Sequence, residues 1–120
     1  MKGNYIDGFL IPVPENKLSE YEELAKKMAK VFKELGALEY VECIADDVKL
    51  GKVTSFPQAV LAKENEKVIF AWVTYESKES RDEIQKKFME HPIMNEMDPS
   101  TMPFDGMRMM MGGFKALINC

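Results

Sequence analysis

A chain of 120 residues has room for one domain, and its 46% hydrophobic and 30% charged content is that of a folded globular protein. The net charge of −4 speaks against a phosphate-binding surface, since nucleic-acid binders gather lysine and arginine on one face and here the lysines alternate with glutamates. No apolar run reaches the ~20 residues of a membrane-spanning helix, so neither nucleic acid nor membrane is an expected partner.

The first predicted strand is Tyr5-Ile6-Asp7-Gly8-Phe9-Leu10-Ile11-Pro12-Val13, nearly continuous in apolar character and therefore expected to be covered on both faces. Only Met1 to Asn4 precede it, too little for a signal peptide, and the expected compartment is the cytoplasm with both cysteines reduced. Pro14 ends the strand. Asn16 or Ser19 then offers a cap, with Ser19-x-x-Glu22 as a capping box, for a helix whose Leu18, Tyr21, Leu24, Ala25, Met28, Phe32 and Leu35 form one apolar stripe. Gly36 closes it.

Residues 37–45 read as the second strand, with Cys43 expected as a small core residue and Cys120 as an exposed tail thiol. Ser55-Phe56-Pro57-Gln58 has a capping pattern with proline in the first turn, predicting a short helix over 56–63. Val68 to Tyr75 is the third strand and the most hydrophobic segment. Ser77 caps a second long helix running to about Glu90, with Ile84 and Phe88 inward and Pro92 beyond its end. Residues 93–97 add a helical turn, 98–106 are rich in turn formers, and the last strand spans 107–118. There Gly112-Gly113 signals a bulge or a close backbone approach.

The order β-α-β-β-α-β is that of an α+β, ferredoxin-like domain over residues 1–120 with a four-stranded antiparallel sheet. Its two central strands would be the first and third, the most apolar of the four. Two helices cover one face of such a sheet, and the other face still carries large apolar residues. A second copy of the same sheet is the simplest cover, which predicts a homodimer with sheets face to face.

Several phrases carry a resemblance along nearly the whole chain: Tyr5-Ile6-Asp7-Gly8-Phe9, Leu38-Glu39-Tyr40-Val41-Glu42-Cys43, Thr54-Ser55-Phe56-Pro57, Ser80-Arg81-Asp82, Met102-Pro103-Phe104-Asp105-Gly106 and Gly112-Gly113-Phe114. In these the chain resembles the YbaA-like bacterial family of unknown function. The resemblance implies a dimeric α/β barrel and brings no activity with it.

The residues that carry chemistry are few. Asp7 stands in an apolar central strand, where a carboxylate must be paired, hydrogen-bonded or at the mouth of a cavity, unless the strand start faces water. It is the first nominee for a base. Glu42 invites the same reading more weakly, from an expected edge strand. Arg108, just after Asp105, offers a clamp for an anion or an ion pair with Asp7. Ser55 reads first as a helix cap. His91, the lone histidine, sits at a helix end, where the helix dipole favours its protonated form. Without partnering ligands it predicts no metal, and no cofactor is expected.

Of the 10 methionines, most fall from Met89 onward, and flexible thioethers suit either an adaptable apolar pocket or a filled core. Trp72 is a candidate aromatic wall. The candidate ligand-binding set is therefore Asp7, Trp72, Asp105, Arg108 and Met109, with residues 100–106 as a lid. Two functional readings follow. One is a protein binding or converting a small apolar or anionic molecule between sheet and helices. The other is a non-catalytic dimeric interaction module with a filled core.

Overall fold

Residues 1–120 are described by a computed structural model. Four strands, β1 (Tyr5–Pro14), β2 (Glu39–Ile44), β3 (Glu66–Tyr75) and β4 (Met110–Lys115), form one antiparallel sheet in the order β2-β3-β1-β4. The two long helices, α1 (Leu18–Leu35) and α3 (Lys78–Met89), pack on one face, and the four-residue α2 (Phe56–Ala59) lies between β2 and β3 in sequence. The architecture is α+β, with the two most apolar strands at the centre.

Strand periodicity decides what faces the helices. Tyr5 pairs with Tyr75, Asp7 with Val73 and Phe9 with Ala71 across β1 and β3, so the odd-numbered residues of both strands share the helical side. They build two buried clusters. Val73 and Tyr75 pack with Val31, Phe32, Ile84, Phe88 and Ile93 in one, while Ile11, Val13, Ile69 and Ala71 pack with Tyr21 in the other.

The opposite face is largely bare. Phe114 is 63% exposed, Met110 48% and Phe70 46%, with Trp72 edge-on to Phe70 and Phe56 of α2 edge-on to its other side. Cys43 falls on this face and is exposed, not a core residue as its strand position suggested, because the register sets it opposite Phe70. Cys120 is exposed in the tail.

Local signals held unevenly. Gly36 adopts φ +118° and ends α1, with its own N–H and that of Ala37 returning to the carbonyls of Lys33 and Phe32, a Schellman arrangement that spares the helix end from unpaired carbonyls. Ser55 and Ser77 cap α2 and α3 through the N–H groups of Gln58 and Ser80. The expected cap of α1 by Asn16 or Ser19 is not formed: a 3-10 turn, Glu15–Lys17, runs straight into the helix and makes Lys17 its first flanking residue. His91 follows α3, where its Nδ1 accepts a hydrogen bond from Ile93 N–H and caps the 3-10 turn Pro92–Glu96.

The last strand starts later than the sequence implies. Residues 106–108 form a 3-10 turn because Arg108 is held there: it donates to both Glu66 oxygens at 2.7 Å, to Asp105 at 2.9 Å and to the Leu61 carbonyl at 2.9 Å. The Arg108 bonds hold the Glu66 carboxyl below its ordinary value. The pair therefore stabilises the fold above the usual carboxylate range, and its contribution is lost as pH falls through the folded value of Glu66. Glu66→Gln should lower stability by about 3 kcal/mol at neutral pH. Denaturant titrations of wild type and variant should converge once Glu66 is protonated.

Candidate functional site

A cavity of about 330 Å³ lies between the sheet and the helices, at the junction of the two buried clusters. Eighteen of its 21 lining residues are hydrophobic, which makes it a site for an apolar body. Phe9 and Ile11 of β1 and Ala71 and Val73 of β3 supply the floor, Leu24, Ala25 and Met28 of α1 the roof, and Phe104 and Met109 close one side. Phe104 packs edge-on against Tyr21, with ring centres 5.7 Å apart, so the 98–106 loop is seated on α1.

Polar groups reach the cavity at two places. The first is Asp7, fully buried in the central strand. Its Oδ2 accepts hydrogen bonds from Tyr75 Oη–H at 2.9 Å and Gln85 Nε2–H at 2.9 Å, and Arg81 Nη1 stands 3.5 Å from Oδ1. Arg81 in turn donates to Tyr5 Oη at 3.0 Å and lies over the Tyr5 ring, 5.0 Å from its centre. Burial raises the Asp7 carboxyl above its ordinary value, against the opposing pull of Tyr75, Arg81 and Gln85. The native protein thus holds this proton more readily than the unfolded chain does. The Asp7 contribution to stability falls as pH rises through the window above the ordinary carboxylate value, opposite in sign to that of Glu66.

Gly113 makes room for this arrangement. Pairing runs unbroken through Gly8 with Gly112 and Asp7 with Gly113, so the glycine pair forms no bulge. A Cβ at Gly113 would lie 2.5 Å from Tyr5 Oη and 2.8 Å from Arg81 Nη2, which is the close approach that the sequence signalled.

The second polar place is Glu42 of β2, which accepts hydrogen bonds from Tyr21 of α1 and, at 2.7 Å, from Tyr40. Burial and the neighbouring Glu42 charge push both tyrosine hydroxyls upward, so they remain neutral donors. This clamp joins the first helix to the edge strand beside the cavity.

Asp7 and Met109 of the expected set line the cavity; Trp72 borders it too, but its ring lies on the open face, edge-on to Phe70 beside the groove there. Asp105 and Arg108 are not among its lining residues; Asp105 caps the 106–108 turn that Arg108 ends, and Arg108 pairs with it and with Glu66 of β3. The arginine paired with Asp7 is Arg81, not Arg108. Sequence reasoning passed over Tyr21, Tyr40, Arg81 and Gln85 as site residues. For the last two a signal existed, since Arg81, Ile84, Gln85 and Phe88 follow one helical stripe in which two polar residues share the inner face. No group of three or more His, Cys, Asp or Glu side chains is placed to hold a metal ion. No helix is long and apolar enough to cross a membrane.

A family model described as a protein of unknown function, DUF1428, matches residues 4–106. The chain belongs to this family. The uncharacterized protein YbaA of Escherichia coli (strain K12) is 53% identical over 115 residues, covering 96% of this chain and 97% of that one. The protein of the same name from Shigella flexneri matches to the same extent. The YbaA-like resemblance is thus established, and the family is one of unknown function. Asp7, Tyr75, Arg81, Gln85, Tyr21, Tyr40 and Glu42 all fall within the DUF1428 match, while β4 lies beyond it.

Removing one donor tests how Asp7 is held. Tyr75→Phe should cost about 2 kcal/mol in denaturant unfolding, the worth of a hydrogen bond to a charged group. In a carboxyl-carbon NMR titration the Asp7 midpoint should move further up in pH.

Proposed function

We propose that this chain is a cytoplasmic, single-domain, ferredoxin-like protein that works as a homodimer and binds a small molecule with an apolar body between its sheet and its helices. The observation that carries the binding reading is the cavity of about 330 Å³, whose size and lining are those of a small-molecule site. A non-catalytic interaction module with a filled core fits that space less well. The strand order β2-β3-β1-β4, with both long helices on one face, supports the ferredoxin-like reading. Two free, exposed thiols suit a reducing compartment.

The dimer reading rests on the bare sheet face. Ile6, Leu10, Phe70, Trp72, Met110 and Phe114 share it with the Gly8–Gly112 pair, around a groove of about 760 Å³. The charge bordering this groove, Glu39, is already occupied by the Lys2 N–H and the Thr74 hydroxyl. A second copy meeting the same face would desolvate hydrocarbon and aromatic surface with little charge to bury, as an isologous interface requires.

Light scattering behind size exclusion should give a dimer at micromolar concentration for the wild type and a monomer for the Phe70→Lys, Phe114→Lys double variant. A monomeric wild type would refute the assembly. For the cavity, ethylbenzene should raise the melting temperature of the wild type and leave that of Ala25→Phe unchanged, because the added ring fills the space under α1. Equal shifts in both proteins, or none in either, would remove the cavity as the binding place.

A further inference from the structure

Resting on that cavity reading, we infer that the ligand carries a hydrogen-bond donor on its apolar body, and that Asp7 Oδ1 receives it. Asp7 lines the cavity, and its two oxygens are unequally served. Oδ2 is saturated by Tyr75 and Gln85, whereas Oδ1 is buried with no hydrogen bond. A buried acceptor left in this condition is costly, and a donor brought by the ligand relieves it.

Arg81 does not serve Oδ1 in that way. Its Nη1 approaches to 3.5 Å but is directed at Gln85 Oε1, 3.4 Å away, and its Nη2 is directed at Tyr5. The charge is close enough to favour the carboxylate, yet no Arg81 N–H makes a hydrogen bond to Oδ1.

The same inventory decides against an anionic ligand. No lysine, arginine or histidine lines the cavity, and its two ionisable acids, Asp7 and Glu42, would repel a carboxylate or phosphate. Arg108 is committed to Glu66 and Asp105 outside it. The class that fits is a neutral, compact molecule with one hydroxyl or N–H group, such as a phenol, an aryl alcohol or an indole-like ring. Specificity of this kind is steep, because a ligand without the donor leaves Oδ1 unpaired in an apolar surround.

The test is a matched series by calorimetry at neutral pH: 4-ethylphenol, ethylbenzene, acetophenone and 4-ethylbenzoate. The wild type should bind 4-ethylphenol about tenfold more tightly than ethylbenzene, acetophenone no better than ethylbenzene, and 4-ethylbenzoate not at all. Equal affinities for 4-ethylphenol and ethylbenzene would overturn the donor assignment and leave the cavity reading intact. Failure of both to bind would overturn both readings.

Asp7→Asn sharpens the result. Tyr75 and Gln85 both donate toward the Oδ2 position, and the Arg81 bond to Oε1 keeps the Gln85 amide from turning over. The new amide oxygen therefore takes the Oδ2 place and its NH2 the Oδ1 place, presenting a donor where the wild type presents an acceptor. In this variant acetophenone should bind more tightly than 4-ethylphenol. An unchanged preference for 4-ethylphenol would mean that a group other than Asp7 receives the donor.

Discussion

The packing of α3 on the sheet is arranged around one buried carboxyl group. A carboxylate within a central strand, away from water, is among the costlier things a small domain can contain. Asp7 is tolerated because three side chains converge on it: Tyr75 from the neighbouring strand and Gln85 and Arg81 from α3. Those contacts fix how α3 lies on the sheet. They also fix what β4 can be at the level of Asp7, since only glycine at 113 leaves space for Tyr5 and Arg81. The smallest residue of the edge strand and the one buried charge of the central strand are two sides of the same constraint.

The cavity follows from how the apolar residues are distributed. Two tight clusters anchor the two ends of the helical layer, and where they meet the cavity is bordered by methionines and by the small side chains of Ala25 and Ala71, which do not fill it. Met28, Met94, Met97 and Met109 give walls that can adapt to a guest. The Glu42 clamp on Tyr21 and Tyr40 holds α1 against β2, so the space persists without the helix settling onto the sheet. A core that needed only stability would have closed it with larger side chains.

Much of the fold could be read from the sequence because its signals are local. Alternation and apolar runs located the strands, the spacing of Leu18, Tyr21, Leu24, Ala25, Met28 and Phe32 located α1, and Gly36, Ser55 and Ser77 marked the ends they now occupy. Asp7 stood out for the same reason, being a charge inside an apolar run. Its partners did not, because each lies about seventy residues or more away and no local pattern announces them. Arg108 was misjudged on similar grounds: its carboxylate partner is Glu66, 42 positions back, which reads locally as the polar start of a strand. Cys43 was misjudged because a strand pattern tells which residues share a face, while only the register and the helices tell which face is covered.

The strand order has a consequence for how the chain is assembled as it leaves the ribosome. Of the four strands β1 precedes the others in the chain, and both of its neighbours come later: β3 after α1 and β2, and β4 after α3. Until then β1 has neither a ladder partner nor a partner for its carboxylate. Nascent-chain folding is therefore postponed until α3 has emerged, since the contacts that reward closure of the sheet are long-range. Asp7 has a part in that interval as well. A charged residue within a run of Ile, Phe and Leu keeps the unpaired strand hydrated and discourages it from pairing with a neighbouring chain. The feature that makes the finished core costly is also what protects its first strand while the core does not yet exist.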